Sequence, residues 1–167
     1  PEKPTIWRGP MVSGALEQLY KQTDWPELDY LLIDLPPGTG DVQLTLSKKI
    51  PLAGIVLVTT PETLALVDLV KGIEMFKKVK IPVLGLIENM AQHVCTNCGH
   101  ESDLFGHNKD VAAIAARYKI TQFASIPFSR ALQGGTIDAD LQAQYQLAAR
   151  MMAAELSLQA KHYGVHF

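Results

Sequence analysis

Cysteine is nearly absent from this chain, with two among 167 residues, at positions 95 and 98. So few cysteines, with no signal for export, exclude a disulfide scaffold. They suit a reducing compartment, the cytoplasm, where a C-x-x-C pair reads as a metal or redox site. An excess of either charge is also lacking. Fifteen Lys and Arg stand against seventeen Asp and Glu, a formal net charge of −2, which gives no electrostatic case for nucleic acid or an anionic membrane. The longest apolar stretch, around Leu52 to Val58, is far too short to span a bilayer. No signal peptide opens the sequence, although a missing N-terminus would hide one. There is no internal repeat, no low-complexity segment and no G-x-x-x-x-G-K-[ST] loop to cradle phosphates. What remains is ordinary for a soluble globular protein: 47% hydrophobic, 19% charged, and the length of one domain.

The most informative stretch that is present is Asp34-Leu35-Pro36-Pro37-Gly38-Thr39-Gly40-Asp41, directly after the apolar run Tyr30-Leu31-Leu32-Ile33. An apolar run ending in Asp and then a Gly/Pro loop reads as a buried parallel strand delivering a carboxylate to the sheet's C-terminal edge, where open α/β sheets bind ligands. In P-loop NTPases such an Asp holds magnesium and a following Gly offers a backbone N–H to the γ-phosphate. Gly38 and Gly40 let backbone approach a phosphate closely. Thr39 either orients water or hydrogen-bonds within the turn, and Asp41 either caps the next helix or joins the chemistry.

Strands and helices alternate along the rest of the chain. The expected elements are a helix capped by Ser13 and running to about Gln22, a strand from Asp29 to Leu35, and a short helix from Gln43 to Ile50. A strand from Ala53 to Thr59 follows, then a helix capped by Thr60 with Pro61 in its first turn, reaching about Val79. Leu66, Leu69, Val70, Ile73 and Phe76 recur on that helix at the spacing of a core face. A third strand is expected over Pro82 to Ile87, then a loop from Asn89 to Phe105 holding both cysteines. Asn108 opens a helix to Tyr118, Gln122 to Ile126 is a strand, and a packing helix from Asp138 to His162 closes the chain. The alternation predicts an α/β fold, a mostly parallel sheet flanked by helices. Lys71, Lys77 and Lys78 fall on a solvated helix face.

Several stretches, in order, resemble the Mrp/ApbC family, P-loop ATPases that carry iron–sulfur clusters. Asp34 to Asp41 looks like its switch II segment. Trp7-Arg8-Gly9-Pro10-Met11, Thr60-Pro61-Glu62, Lys71-Gly72-Ile73-Glu74-Met75-Phe76, Gly85-Leu86-Ile87-Glu88-Asn89-Met90 and the C-x-x-C at Cys95 and Cys98 also match. The resemblance covers most of residues 5 to 128. It fades where Leu132-Gln133-Gly134-Gly135-Thr136 replaces the family's short Asp/Gly/Pro segment. It implies one domain over 1–167, the C-terminal part of a P-loop ATPase domain of MinD/Mrp type that lacks its first strand and phosphate loop. That lost strand would lie between the Asp34-type and Ala53-type strands, so these two would pair directly, pair with another chain, or leave unpaired edges. The resemblance further implies ATP and Mg2+ at Asp34, Gly38, Thr39 and Gly40, with the base at Asn89. A [4Fe–4S] cluster would be held by Cys95 and Cys98 across a homodimer and passed to apo iron–sulfur proteins. ATP hydrolysis is expected of the intact parent, and weak or no ATP binding of these 167 residues alone. Thr96 departs from the family's usual Pro after the first Cys. Trp7 and Arg8 resemble positions near the nucleotide or dimer face.

Other readings stay open on the residues themselves. Asn89 also suits a turn ending a strand. Cys95 and Cys98 with two of His93, His100 and His107 would make a structural zinc site in a non-catalytic module. A thioredoxin-type dithiol would sit at a helix N-terminus, which the loop placement disfavours. A MinD-like positioning ATPase would carry a basic, strongly amphipathic tail, which the C-terminal helix is not.

Overall fold

β-Branched residues dominate Ile55-Val56-Leu57-Val58-Thr59, and this stretch forms β1 (Ile55–Thr59) in the computed structural model of the chain. Residues 9–35, 41–95, 97–105, 108–129 and 139–163 are described. They fall into two compact units, Pro1–Leu52 and Ala53–Phe167, and each is taken by itself.

In the first unit, α1 (Gly9–Gln22) packs against α2 (Asp41–Lys49). The expected cap at Ser13 is corrected: α1 begins at Gly9 and buries Ser13 within it. Pro10 fits the first turn of a helix, because its fixed φ is helical and its missing N–H would have no partner there. Glu17 joins the two helices, accepting from Lys21 at 2.8 Å and from Lys49 at 2.6 Å.

The strand expected over Asp29–Leu35 is not formed. A strand exists only against a neighbour that takes its backbone hydrogen bonds, and no described strand offers one. Leu32 is 74% exposed, and Tyr30 and Leu31 are exposed too.

The second unit holds a sheet in which β2 (Val83–Val94) is central. It pairs in parallel with β1 and with β4 (Gln122–Phe128), and antiparallel with β3 (Glu101–Ser102). β1 pairs only with β2 among the described residues. α3 (Thr63–Lys78) packs on β1, α4 (Asn108–Tyr118) on β2, and α5 (Ala139–Tyr163) on β4 and β2. This is the mostly parallel, helix-flanked sheet that the alternation predicted.

The core joins Leu69 and Ile73 of α3, Leu86 of β2, and Val111 and Ala115 of α4. Ile73 is fully enclosed, and burial of such a side chain contributes about 1.5–3 kcal/mol. α3 begins after Glu62, not Thr60 as expected, and the Glu62 side chain makes no capping bond. Both α3 and α4 stop in the same way. Lys80 and Lys119 take positive φ of 59 and 56. The next residues then donate back across the last turn, Ile81 to Phe76 and Ile120 to Ala115. These are Schellman stops with Lys in the place usually given to Gly. α5 buries Leu141 and Ala148, consistent with a packing helix.

Candidate functional site

β2 does not end at Ile87. It runs on to Val94, and His93 and Val94 pair with Ser102 and Glu101 of β3. The loop expected from Asn89 to Phe105 is therefore corrected to a β-hairpin with the C-x-x-C at its tip. Pairing with β3 holds this end of the strand, and Gly99 at φ 70 permits the reversal. Cys95 N–H donates to the His100 carbonyl at 2.9 Å and Gly99 N–H donates to the Cys95 carbonyl at 2.8 Å. These bonds close the turn around the cysteines.

Cys95 is half-buried, Cys98 is exposed, and both are free thiols. The Cys95 thiol is held below its ordinary value, first by the backbone N–H of Asn97, then by the backbone N–H and thiol of Cys98, against a smaller opposing effect of burial. Donors aimed at that sulfur favour a thiolate, the form that ligates metal. Among the described residues no third His, Cys, Asp or Glu joins the pair in a metal-sized cluster. His107 and Thr96 lie outside the described residues. Two thiols fit half of a four-thiolate cluster. Beneath the hairpin, Phe128 of β4 meets His93 and Phe105, with ring centroids 6.3 and 6.2 Å apart.

Asn89 lies on the same strand, six residues before Cys95. Its Oδ1 accepts from the Met90 N–H at 3.0 Å. Met90 has a φ of 54, and the β2–β4 register is irregular between Asn89 and His93. Asn89 therefore marks the point where β2 bends away from the regular sheet.

Sequence reasoning passed over Glu88. It is 1% exposed, and its Oε2 accepts from Ser125 Oγ at 2.8 Å and Gln122 Nε2 at 3.0 Å. Burial pushes its carboxyl up from the ordinary value, opposed by those two hydrogen bonds, while the charge of Asp103 acts with burial. The signal was available: Glu88 follows an apolar run, as Asp34 does. Asp34 itself is exposed in the first unit, while Asn89 and both cysteines belong to the second. Gly38, Thr39, Gly40, Trp7, Arg8 and Leu132–Thr136 lie outside the described residues. α2 begins at Asp41.

The family model for ParA, described as NUBPL iron-transfer P-loop NTPase, matches residues 1–159. The chain belongs to this family. An iron-sulfur cluster carrier protein of Pseudomonas fragi is 60% identical over 126 residues, 75% of this chain and 44% of that protein. The carrier of Escherichia coli (strain K12) is 50% identical over 128 residues, 77% of this chain and 34% of its own. The iron-sulfur cluster transfer protein NUBPL of Dictyostelium discoideum is 48% identical over 126 residues, covering 75% and 39%. The chain thus spans less than half the length of these relatives. Among solved structures, the nucleotide-binding protein of Archaeoglobus fulgidus in complex with ADP is similar, with a TM-score of 0.62 and 39% identity. The match covers 85% of this chain and 54% of that one. The resemblance to Mrp/ApbC proteins and the MinD/Mrp-like fold are both borne out. No helix among the described residues is long and apolar enough to cross a membrane.

Proposed function

We propose that the protein, at its natural full length, is a dimeric ATPase that binds an iron–sulfur cluster and delivers it to apo iron–sulfur proteins. The observation that carries this reading is the hairpin tip. Two free thiols stand three residues apart, one of them half-buried and served by backbone N–H donors, in a chain whose relatives are named as cluster carriers. One chain supplies two thiolates and a [4Fe–4S] cargo takes four, so two copies share one cluster. The zinc reading needs histidines beside the cysteines, and no such group stands among the described residues.

ATP and magnesium are assigned to the Asp34 end. An exposed carboxylate suits Mg2+, which keeps most of its waters and takes one or two carboxylates. Gly38, Thr39 and Gly40 follow as the phosphate-facing turn, and Asn89 reads the base through its amide. No residues of these 167 form a G-x-x-x-x-G-K-[ST] loop, so nucleotide affinity of this chain alone is weak. Both units are then parts of one ATPase domain. Action in the cytoplasm is assigned on the reducing compartment that two free cysteines suit.

The test is anaerobic reconstitution of the chain with iron and sulfide. The expected result is broad visible absorbance, one cluster per two chains, and loss of both iron and absorbance in Cys95→Ser and Cys98→Ser. Variants that bind iron as well as the parent would remove the cysteines from the site. One zinc per chain that falls with His100→Ala would replace the reading with a structural-zinc module.

A further inference from the structure

β2 changes character at a single residue. Up to Glu88 it is a central strand, held by β1 through Thr59 opposite Glu88 and by β4 through Ser125 opposite Glu88. Beyond it the β1 ladder ends. β4 still sets Ile126 opposite Asn89, and the register then breaks before Phe128 meets His93. Met90 lies in that break with a φ of 54, a conformation that bulky L residues rarely adopt. Its N–H is held by Asn89 Oδ1. A bend with one local side-chain bond therefore separates the regular sheet from the strand extension that leads to Cys95.

Glu88 secures the sheet side of this bend. Both groups that bond to its Oε2, Ser125 Oγ and Gln122 Nε2, belong to β4. Its Oε1 is buried and has no hydrogen-bond partner among the described residues. Burying a carboxyl with one oxygen unsatisfied is unfavourable beside an apolar residue of similar size. Packing alone gives no reason for an acid here, whereas a cross-strand clasp does.

We propose that Glu88 is a positioning residue: by clasping β4 it fixes the sheet side of the Met90 bend, so that a displacement at Asn89 is passed to the cysteine hairpin. Without the clasp, the end of β2 yields as a whole and the displacement is dissipated. A group that engages the Asn89 amide competes with its bond to Met90, which is the displacement to be transmitted. This inference rests on the proposed function, in which Asn89 meets the base and the cysteines hold the cluster.

The experiment uses the protein at its natural full length, loaded with a [4Fe–4S] cluster. Cluster loss to a chelator is followed by visible absorbance with and without ATP and magnesium, and the ratio of the two rates reads the coupling. Ordinary coupling between sites amounts to about fivefold or more. Glu88→Gln keeps an acceptor oxygen and the size of the side chain, and it retains the parental ratio. Glu88→Leu fills the space without an acceptor. Its ratio falls toward one, while iron content without nucleotide and ATP affinity stay at the parental level. Ser125→Ala removes one of the two clasping bonds and leaves that from Gln122 Nε2 in place, so it folds and gives an intermediate ratio. A folded Glu88→Leu with the parental ratio overturns the positioning role. If Glu88→Leu does not fold, Ser125→Ala decides, and an unchanged ratio overturns the inference. A parent whose cluster loss ignores nucleotide overturns the proposed function itself, and this inference with it.

Discussion

Gly85 lies on β2 directly under the ring of Phe123 on β4. A Cβ built at position 85 would fall within contact distance of three ring carbons at once. Phe123 is 3% exposed, so the ring has little room to withdraw. Gly85→Ala is therefore expected to lower stability by about 1–3 kcal/mol, the usual cost of overfilling a packed core. Urea unfolding of the 167-residue chain measures it. Phe123→Leu alone also destabilises, because it leaves a gap. Combined with Gly85→Ala it is expected to cost less than the sum of the two, since the smaller side chain makes way for the methyl. Strict additivity would mean that the ring and the glycine do not constrain each other. The same residue-level reading separates Glu88 from its neighbours. Gly85 and Leu86 are explained by packing, whereas Glu88 is buried with one oxygen unsatisfied and calls for a role of another kind.

Two helices of the first unit meet through one carboxylate. Glu17 sits about one turn before Lys21 on α1 and also reaches Lys49 at the end of α2. The hydrogen bond from Lys21, then that from Lys49, holds its pKa at about 2 instead of the ordinary 4.5. A carboxyl whose folded value is depressed adds stability above its unfolded value, and that stability is lost as pH falls through the folded value. Amide hydrogen exchange in α1 and α2 is expected to lose protection as pH drops from about 4.5 to 2. Glu17→Gln is expected to start less protected at neutral pH and to show a flatter acid profile. Identical profiles for the two proteins would show that the pair holds nothing, a common fate of exposed ion pairs. At this scale the sequence was legible where one element carries its own signal. β1 is rich in β-branched residues, and the Leu69, Ile73 and Phe76 face of α3 is buried as its spacing required. It was not legible where structure depends on a partner. The Tyr30–Ile33 run has the composition of a buried strand but no described strand to bond. The Asn89–Val94 extension looks like a loop until β3 is there to pair with it. The spacing of Cys95 and Cys98 marks them in the sequence as the proposed ligand pair. Their N–H-lined hairpin was not legible there, because it depends on the turn at Gly99 and on the β3 ladder.

Across the whole molecule, the proposed activities draw on separate sets of atoms. Asp34 belongs to the first unit, the cysteines to the second, and no ligand is common to both. The protein at full length therefore admits a clean separation. Asp34→Asn keeps the size of the side chain and removes the charge suited to magnesium and its waters. ATP hydrolysis is expected to fall at least about tenfold, a loss of roughly 1.4 kcal/mol or more of transition-state stabilisation. Iron content after reconstitution is expected to remain at the parental level, since Asp34 is exposed and its replacement leaves no buried group unsatisfied. Steady-state phosphate release and iron content, measured on the same preparations, give the answer. Unchanged hydrolysis would take Asp34 out of the nucleotide site. A parallel loss of iron would instead make Asp34 a residue on which folding of both units depends. Cys95→Ser is the reciprocal case: iron is lost, while hydrolysis measured without cluster stays close to the parent. If both separations hold, nucleotide and cluster share no ligand, and any coupling between them is carried by the protein. β2 carries Asn89 and the bend at Met90 and ends one residue before Cys95, so it joins the proposed base contact to the proposed cluster loop.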